Sequence, residues 1–179
     1  MVMQDSFVDK RDIHSIEKAY ALIEKGNELA SQNRIQEARD LFLESVKLHP
    51  TADGYTYLGW MLTYDGYYTE AIDLCYKAIE LDPDFGNPYN DIGVYLLQFG
   101  KLEAAISWFE KAKKASRYEP RHFPYANLGN IYMRQGKLSL ARKEFLKALE
   151  LEPNYQPALE ALEIIQTACE IEENMDLVH

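Results

Sequence analysis

Tyr57, Trp60 and Tyr64 stand at i, i+3 and i+7, the spacing that lines side chains up along one face of a helix. Rings of this kind do not make or break bonds; they supply flat contact area, with a hydroxyl or indole N–H at one end. A second stripe on the same segment, Tyr55, Leu58, Gly59 and Leu62, runs along a different face. The helix is therefore apolar nearly all round, which implies that more than one of its faces meets something other than water. Three readings are open: a partner-binding patch, a face covered by the chain's own N-terminal arm or by a second copy, and ordinary packing.

Residues that could do covalent chemistry form no pattern. His14, His49, His122 and His179 are scattered, and none stands in a His-Glu-x-x-His arrangement. The chain has neither a Gly-rich phosphate loop nor a Gly-x-Ser-x-Gly elbow. Carboxylate neighbours such as Glu172 and Glu173 fit the solvated face of an acidic protein. Of the two cysteines, Cys75 stands at a position otherwise held by phenylalanine and reads as a small buried hydrophobe, and Cys169 has no assigned role. Catalysis is not expected, nor is any cofactor or metal.

The elements that must position the aromatic residues are set by an internal repeat. Gly-x11-Ala-x3-[Phe/Cys]-x2-[Ala/Ser] occurs four times, at Gly26, Ala38, Phe42 and Ser45; Gly59, Ala71, Cys75 and Ala78; Gly93, Ala105, Phe109 and Ala112; and Gly129, Ala141, Phe145 and Ala148. The glycines are 33, 34 and 36 residues apart, the period of a helix-turn-helix solenoid. A glycine inside a helix costs about 1 kcal/mol relative to alanine, so each must be offset by close helix contact. Pro50, Pro83 and Pro153 stop the second helices. Gly66, Gly100, Gly136 and, in the first copy, Asn33 fall where a left-handed helix cap is needed.

These residues resemble the tetratricopeptide repeat. Its first-helix signature is matched by Tyr55, Leu58, Gly59 and Leu62, by Tyr89, Ile92, Gly93 and Leu96, and by Tyr125, Leu128, Gly129 and Tyr132, and more weakly by Leu22, Gly26 and Leu29. The resemblance covers residues 19–155 and implies an all-α, right-handed α-solenoid of four repeats, 19–51, 52–85, 86–121 and 122–155. An N-terminal arm and helix start occupy 1–18, with the arm loose to about residue 12 and the helix starting at Asp12 or Ser15. Residues 156–171 read as a capping helix over the last open face, and 172–179 as an acidic, fraying tail.

The family binds other proteins along its concave side, and its groove positions fall here on Tyr20, Ile23 and Asn27; Thr56, Tyr57, Trp60 and Tyr64; Asn87, Asn90, Asp91 and Val94; and Phe123, Asn127 and Asn130. Asn90, Asn127 and Asn130 are the amides expected to pair with a partner's backbone. The family's clamp for acidic C-terminal peptides needs lysine, asparagine and arginine at sites held here by Ile23, Asn27, Tyr57, Asn87 and Asp91, of which Asn27 alone fits. One repeat later the same sites hold Thr56, Trp60, Asp91, Phe123 and Asn127, which is no better.

A net charge of −10 repels phosphate backbones and anionic lipid, so neither nucleic acid nor membrane insertion is expected. No N-terminal apolar run of about 7 to 15 residues is present, and no stretch reaches the roughly 20 of a spanning helix. The expected compartment is the cytoplasm. Between Ala112 and Pro120 the step to the next proline is longer than elsewhere, through Lys113, Lys114 and Arg117, with Lys111 and Arg121 beside it. That segment reads as a solvated loop, or else as a docking point for an acidic segment. The leading expectation is a scaffold or adaptor that binds a peptide or helical segment of another protein in an aromatic groove. A small secretion-type chaperone and a homodimer assembled through the groove are the alternatives.

Overall fold

The computed structural model describes residues 10–176, and among these the backbone is nine helices with no strand beyond one isolated bridge. Their bounds are α1 Lys10–Ser31, α2 Ile35–Leu48, α3 Ala52–Thr63, α4 Tyr68–Leu81, α5 Asn87–Gln98, α6 Leu102–Lys114, α7 Phe123–Arg134, α8 Leu138–Leu151 and α9 Gln156–Asp176. Each odd helix packs most heavily on the even helix that follows, giving four antiparallel pairs and a terminal helix. Odd helices also touch the next odd helix, α1 with α3, α3 with α5 and α5 with α7, so these form the inner wall.

Local chemistry explains the pairs. Asn33, Gly66, Gly100 and Gly136 have φ of 60°, 81°, 67° and 69°. At each turn an N–H one residue later reaches back to a carbonyl five positions earlier, as Arg34 does to Leu29 at 2.9 Å and Lys137 to Tyr132 at 2.9 Å. This satisfies the end of one helix and reverses the chain into the next. Asn33 is the one non-glycine residue described with positive φ, a conformation that asparagine tolerates better than most. Helices α2, α4 and α8 end two residues short of Pro50, Pro83 and Pro153.

Within a pair, the repeat glycine makes room for an aromatic ring. A Cβ at Gly26, Gly93 or Gly129 would come within 2.5, 2.6 or 2.8 Å of Phe42, Phe109 or Phe145, each fully buried. In the second pair Cys75 replaces the ring, and a Cβ at Gly59 would instead meet the Ala71 carbonyl oxygen, at 3.2 Å. Cys75 is buried, as its place in the repeat implies, and burial pushes its thiol pKa well up. At the end of the array, Ala158, Ala161 and Ile165 of α9 close over Phe145 and Ala148.

Three segments differ from the sequence reading. Helix α1 already includes Lys10, whereas a start at Asp12 or Ser15 was expected; the rest of the arm, residues 1–9, lies outside the described residues. Helix α9 continues past Ile171 to Asp176, since neither proline nor glycine interrupts Glu172 to Asp176, and residues 177–179 lie outside the described region. The third is the connector between α6 and α7, whose Ser116, Arg117, Glu119 and Pro120 are exposed as expected of a solvated loop but whose backbone is docked on the neighbouring repeat. Its Arg117 backbone pairs with the segment before α5, donating to the Asp84 carbonyl at 3.0 Å and accepting from the Gly86 N–H at 2.8 Å. Tyr118 then buries against Gly86, where a Cβ would come within 2.5 Å of it.

Part of the basic cluster expected at this junction is taken up internally, while Lys114 is exposed. Lys113 lies between Glu110 (3.0 Å) and Glu144 (3.1 Å), and Lys111 sits over the Trp108 ring at 3.8 Å. Arg117 stacks on Phe85 and bonds Asp82 at 2.7 Å and Asp53 at 3.1 Å. An acidic segment docking on Lys113 or Arg117 would have to displace these carboxylates.

Candidate partner-binding groove

The inner wall carries most of the expected groove residues, but at different depths. On α1, Tyr20 is exposed, while Ile23 is 5% exposed and belongs to the core between α1, α2 and α3, with Phe42 and Met61 around it. Ile23 is therefore a packing residue rather than groove surface, because neighbouring helices cover the face on which it stands. Asn27 is half-buried beside Tyr57. Tyr57 lies on the Phe42 ring, centroids 5.4 Å apart at 21°. Burial and the Asp53 charge push its hydroxyl pKa up, and the neighbouring Asn27 amide pulls it partly back. Trp60 and Tyr64 are 38% and 52% exposed, with ring centroids 6.1 Å apart.

On α5 and α7 the amides are partly spent on one another. Asn127 Nδ2 donates to Asn90 Oδ1 at 3.1 Å, and Asn90 is only 8% exposed. The pair bridges two repeats beneath the surface, where an unpaired amide would be costly. Asn130 is exposed, and Val94 is half-buried against the apolar clusters on either side of α5. Asn87 donates to the Glu119 carbonyl at 3.2 Å, tying the connector to α5.

At the centre is a cavity of about 380 Å³ lined by Thr56, Tyr57 and Trp60 of α3, Asn87 and Asp91 of α5, Glu119 and Pro120 of the connector, and Phe123 of α7. Tyr57, Trp60, Asn87, Asp91 and Phe123 are thus brought together as the sequence implied. Tyr20, Ile23, Asn27, Tyr64, Asn90, Val94, Asn127 and Asn130 do not line it. Glu119 and Pro120 were missed by the repeat reading, although the long step after Ala112 was the signal for them.

The cavity has aromatic walls and an acidic end. Its lining contains two carboxylates and no lysine, arginine or histidine. Burial pushes the Asp91 carboxyl up to about 7, against the opposing pull of a hydrogen bond from Asn90. The Asp91 charge in turn helps raise Tyr95 on its own helix and Tyr118 on the connector, both already raised mainly by burial. Phe123 is held by His122 (centroids 4.3 Å) and Tyr155 (6.0 Å). Among the described residues no group of three or more His, Cys, Asp and Glu is placed to hold a metal ion, and no helix is long and apolar enough to cross a membrane. What the site offers is recognition by ring contact, hydrogen bonding and charge.

Models of the tetratricopeptide repeat match residues 23–84, 87–118 and 122–155. Human protein O-mannosyl-transferase TMTC2 is 34% identical over 100 residues, which is 54% of this chain and 12% of that protein. The chain thus spans about an eighth of that relative, and the similarity says nothing of the remainder. Among solved structures, the pilF protein of Pseudomonas aeruginosa superposes with a TM-score of 0.72 at 20% identity, over 86% of this chain and 78% of its own. YrrB, described as a TPR protein with an unusual peptide-binding site, superposes with a TM-score of 0.59 at 21% identity, over 86% of this chain and 79% of its own. With four glycine-centred helix pairs and successive model matches along the array, the chain belongs to the tetratricopeptide repeat family.

Proposed function

We propose that this protein is a non-catalytic scaffold that holds an extended segment of another protein along its inner wall, with Trp60 and Phe123 as the principal anchors. The observation that carries the reading is the cavity between α3, α5, α7 and the connector, in which the Trp60 and Phe123 rings stay 38% and 37% exposed. Partly exposed aromatic residues around a concave site are where interface energy concentrates. A peptide-binding protein of the same fold, YrrB, supports the general mode without identifying a partner.

The test is partner capture with the full chain, followed by titration against Trp60→Ala and Phe123→Ala. Each substitution is expected to weaken binding by about 2 kcal/mol, the usual scale of an aromatic anchor, with the helical circular dichroism unchanged. Wild-type affinity in both folded variants would move the site away from this groove.

A further inference from the structure

We propose that the cavity selects a lysine or arginine side chain of the bound segment, seating its aliphatic stem between Trp60 and Phe123 and its cation against Asp91. This rests on the groove reading above and adds the chemistry of the partner. The lining pairs three aromatic residues with Asp91 and Glu119 and contains no cationic side chain. Of the nearby arginines, Arg117 is turned away onto Asp53 and Asp82, and Arg121 lies 3.7 Å from the Glu119 carboxylate, which leaves Asp91 as the main counter-charge. A cation entering the cavity therefore meets ring faces and carboxylates, an arrangement that attracts ammonium and guanidinium groups. An anion meets repulsion from Asp91 and from a chain whose net charge is −10. About 380 Å³ is at the small end of ligand sites, suited to one long side chain rather than a folded element.

The burial that raises the Asp91 pKa makes a partner cation more valuable, because it offsets a charge that the protein alone stabilises poorly. Binding of the cation favours the ionised carboxylate, so affinity should climb as pH rises from 6 to 8. The titratable groups near Asp91 are Tyr57 on α3, Cys75 on α4, Tyr95 on α5 itself, and Tyr118 and Glu119 on the connector, with Asp53 and Arg117 acting on Tyr57. His122 lies behind Phe123, so the pH profile must be assigned by substitution.

Random 12-residue peptides displayed against the full chain provide the probe. Enriched sequences are expected to share a lysine or arginine at one position, and replacing it by norleucine should cost about tenfold or more in affinity. Asp91→Asn should reproduce that loss and flatten the rise between pH 6 and 8, while Glu119→Gln gives a smaller loss. Peptides enriched without a shared basic residue, or bound equally by folded Asp91→Asn, overturn the charge selection and leave the groove standing. Peptides whose binding ignores Trp60→Ala and Phe123→Ala, or no enrichment at all, overturn the groove reading together with this one.

Discussion

Arg117 and Asp53 meet through two hydrogen bonds, of 3.1 and 3.2 Å, across 64 positions of sequence. The same guanidinium reaches Asp82 at 2.7 Å, so one side chain ties the connector of the third pair to α3 and to the end of α4. A flat, fork-shaped donor set can grip both oxygens of Asp53 through two nitrogens while a third N–H reaches Asp82, a geometry that a single ammonium nitrogen does not offer. Its backbone also sets where Glu119 and Pro120 stand as the wall of the cavity.

Because Arg117 is substantially exposed, its ion pairs are screened, and Arg117→Ala should cost only about 0.5 to 1 kcal/mol in chemical denaturation. The larger effect should fall on partner affinity, since the connector loses its anchor. Arg117→Lys is expected to restore little of it. Full affinity in the alanine variant would show that the backbone pairing alone holds the wall.

Gly93→Ala should destabilise the protein by roughly 1 to 3 kcal/mol, because the new Cβ falls 2.6 Å from a fully buried Phe109 ring. Gly59→Ala is expected to be near neutral. There the nearest atom is 3.2 Å away, and the helix-propensity gain of about 1 kcal/mol works in its favour. Equal losses at the two sites in urea titrations would reject the ring as the reason for the glycines.

Asp91 should make stability fall as pH rises. Its carboxyl titrates near 7 in the folded chain against an ordinary value of 3.8, so between these limits the native state holds the proton more tightly than the unfolded state does. The stabilisation is complete below about pH 4 and is lost as pH climbs through 7. At about 1.4 kcal/mol per unit, Asp91→Asn should gain on the order of 1 to 4 kcal/mol over wild type at pH 8 and little at pH 4. Such a variant would be sturdier and yet a poorer binder of basic peptides. Parallel melting curves for the two proteins from pH 4 to 8 would refute the buried charge.

Truncation after Pro153 removes α9 and uncovers Phe145, Ala148 and the partly buried Tyr125. A solenoid end stripped of its cap exposes apolar surface, so the shortened chain should aggregate or melt at a lower temperature. Light scattering and a thermal scan decide this. An equally stable monomer would mean that α9 is not a cap.

The pairs were legible in the sequence because every element of the repeat acts over short distance. Gly26 with Phe42, the Asn33 turn and the stop before Pro50 each involve residues of one helix pair, and the same solution recurs every 33 to 36 positions. The Tyr57, Trp60, Asp91 and Phe123 constellation followed from that periodicity, since equivalent positions of successive first helices must face the same side. Tertiary structure alone decided the rest. Ile23 and Asn90 occupy groove positions by register, but neighbouring helices cover them, and register does not report depth. Arg117 read as a free cation because its partners, Asp53 and Asp82, lie 64 and 35 positions away, and nothing local announces a pairing of that range. The raised Asp91 carboxyl has the same origin: a pKa is set by what surrounds a group in space, and those surroundings exist only once α3, α5 and the connector have closed around it.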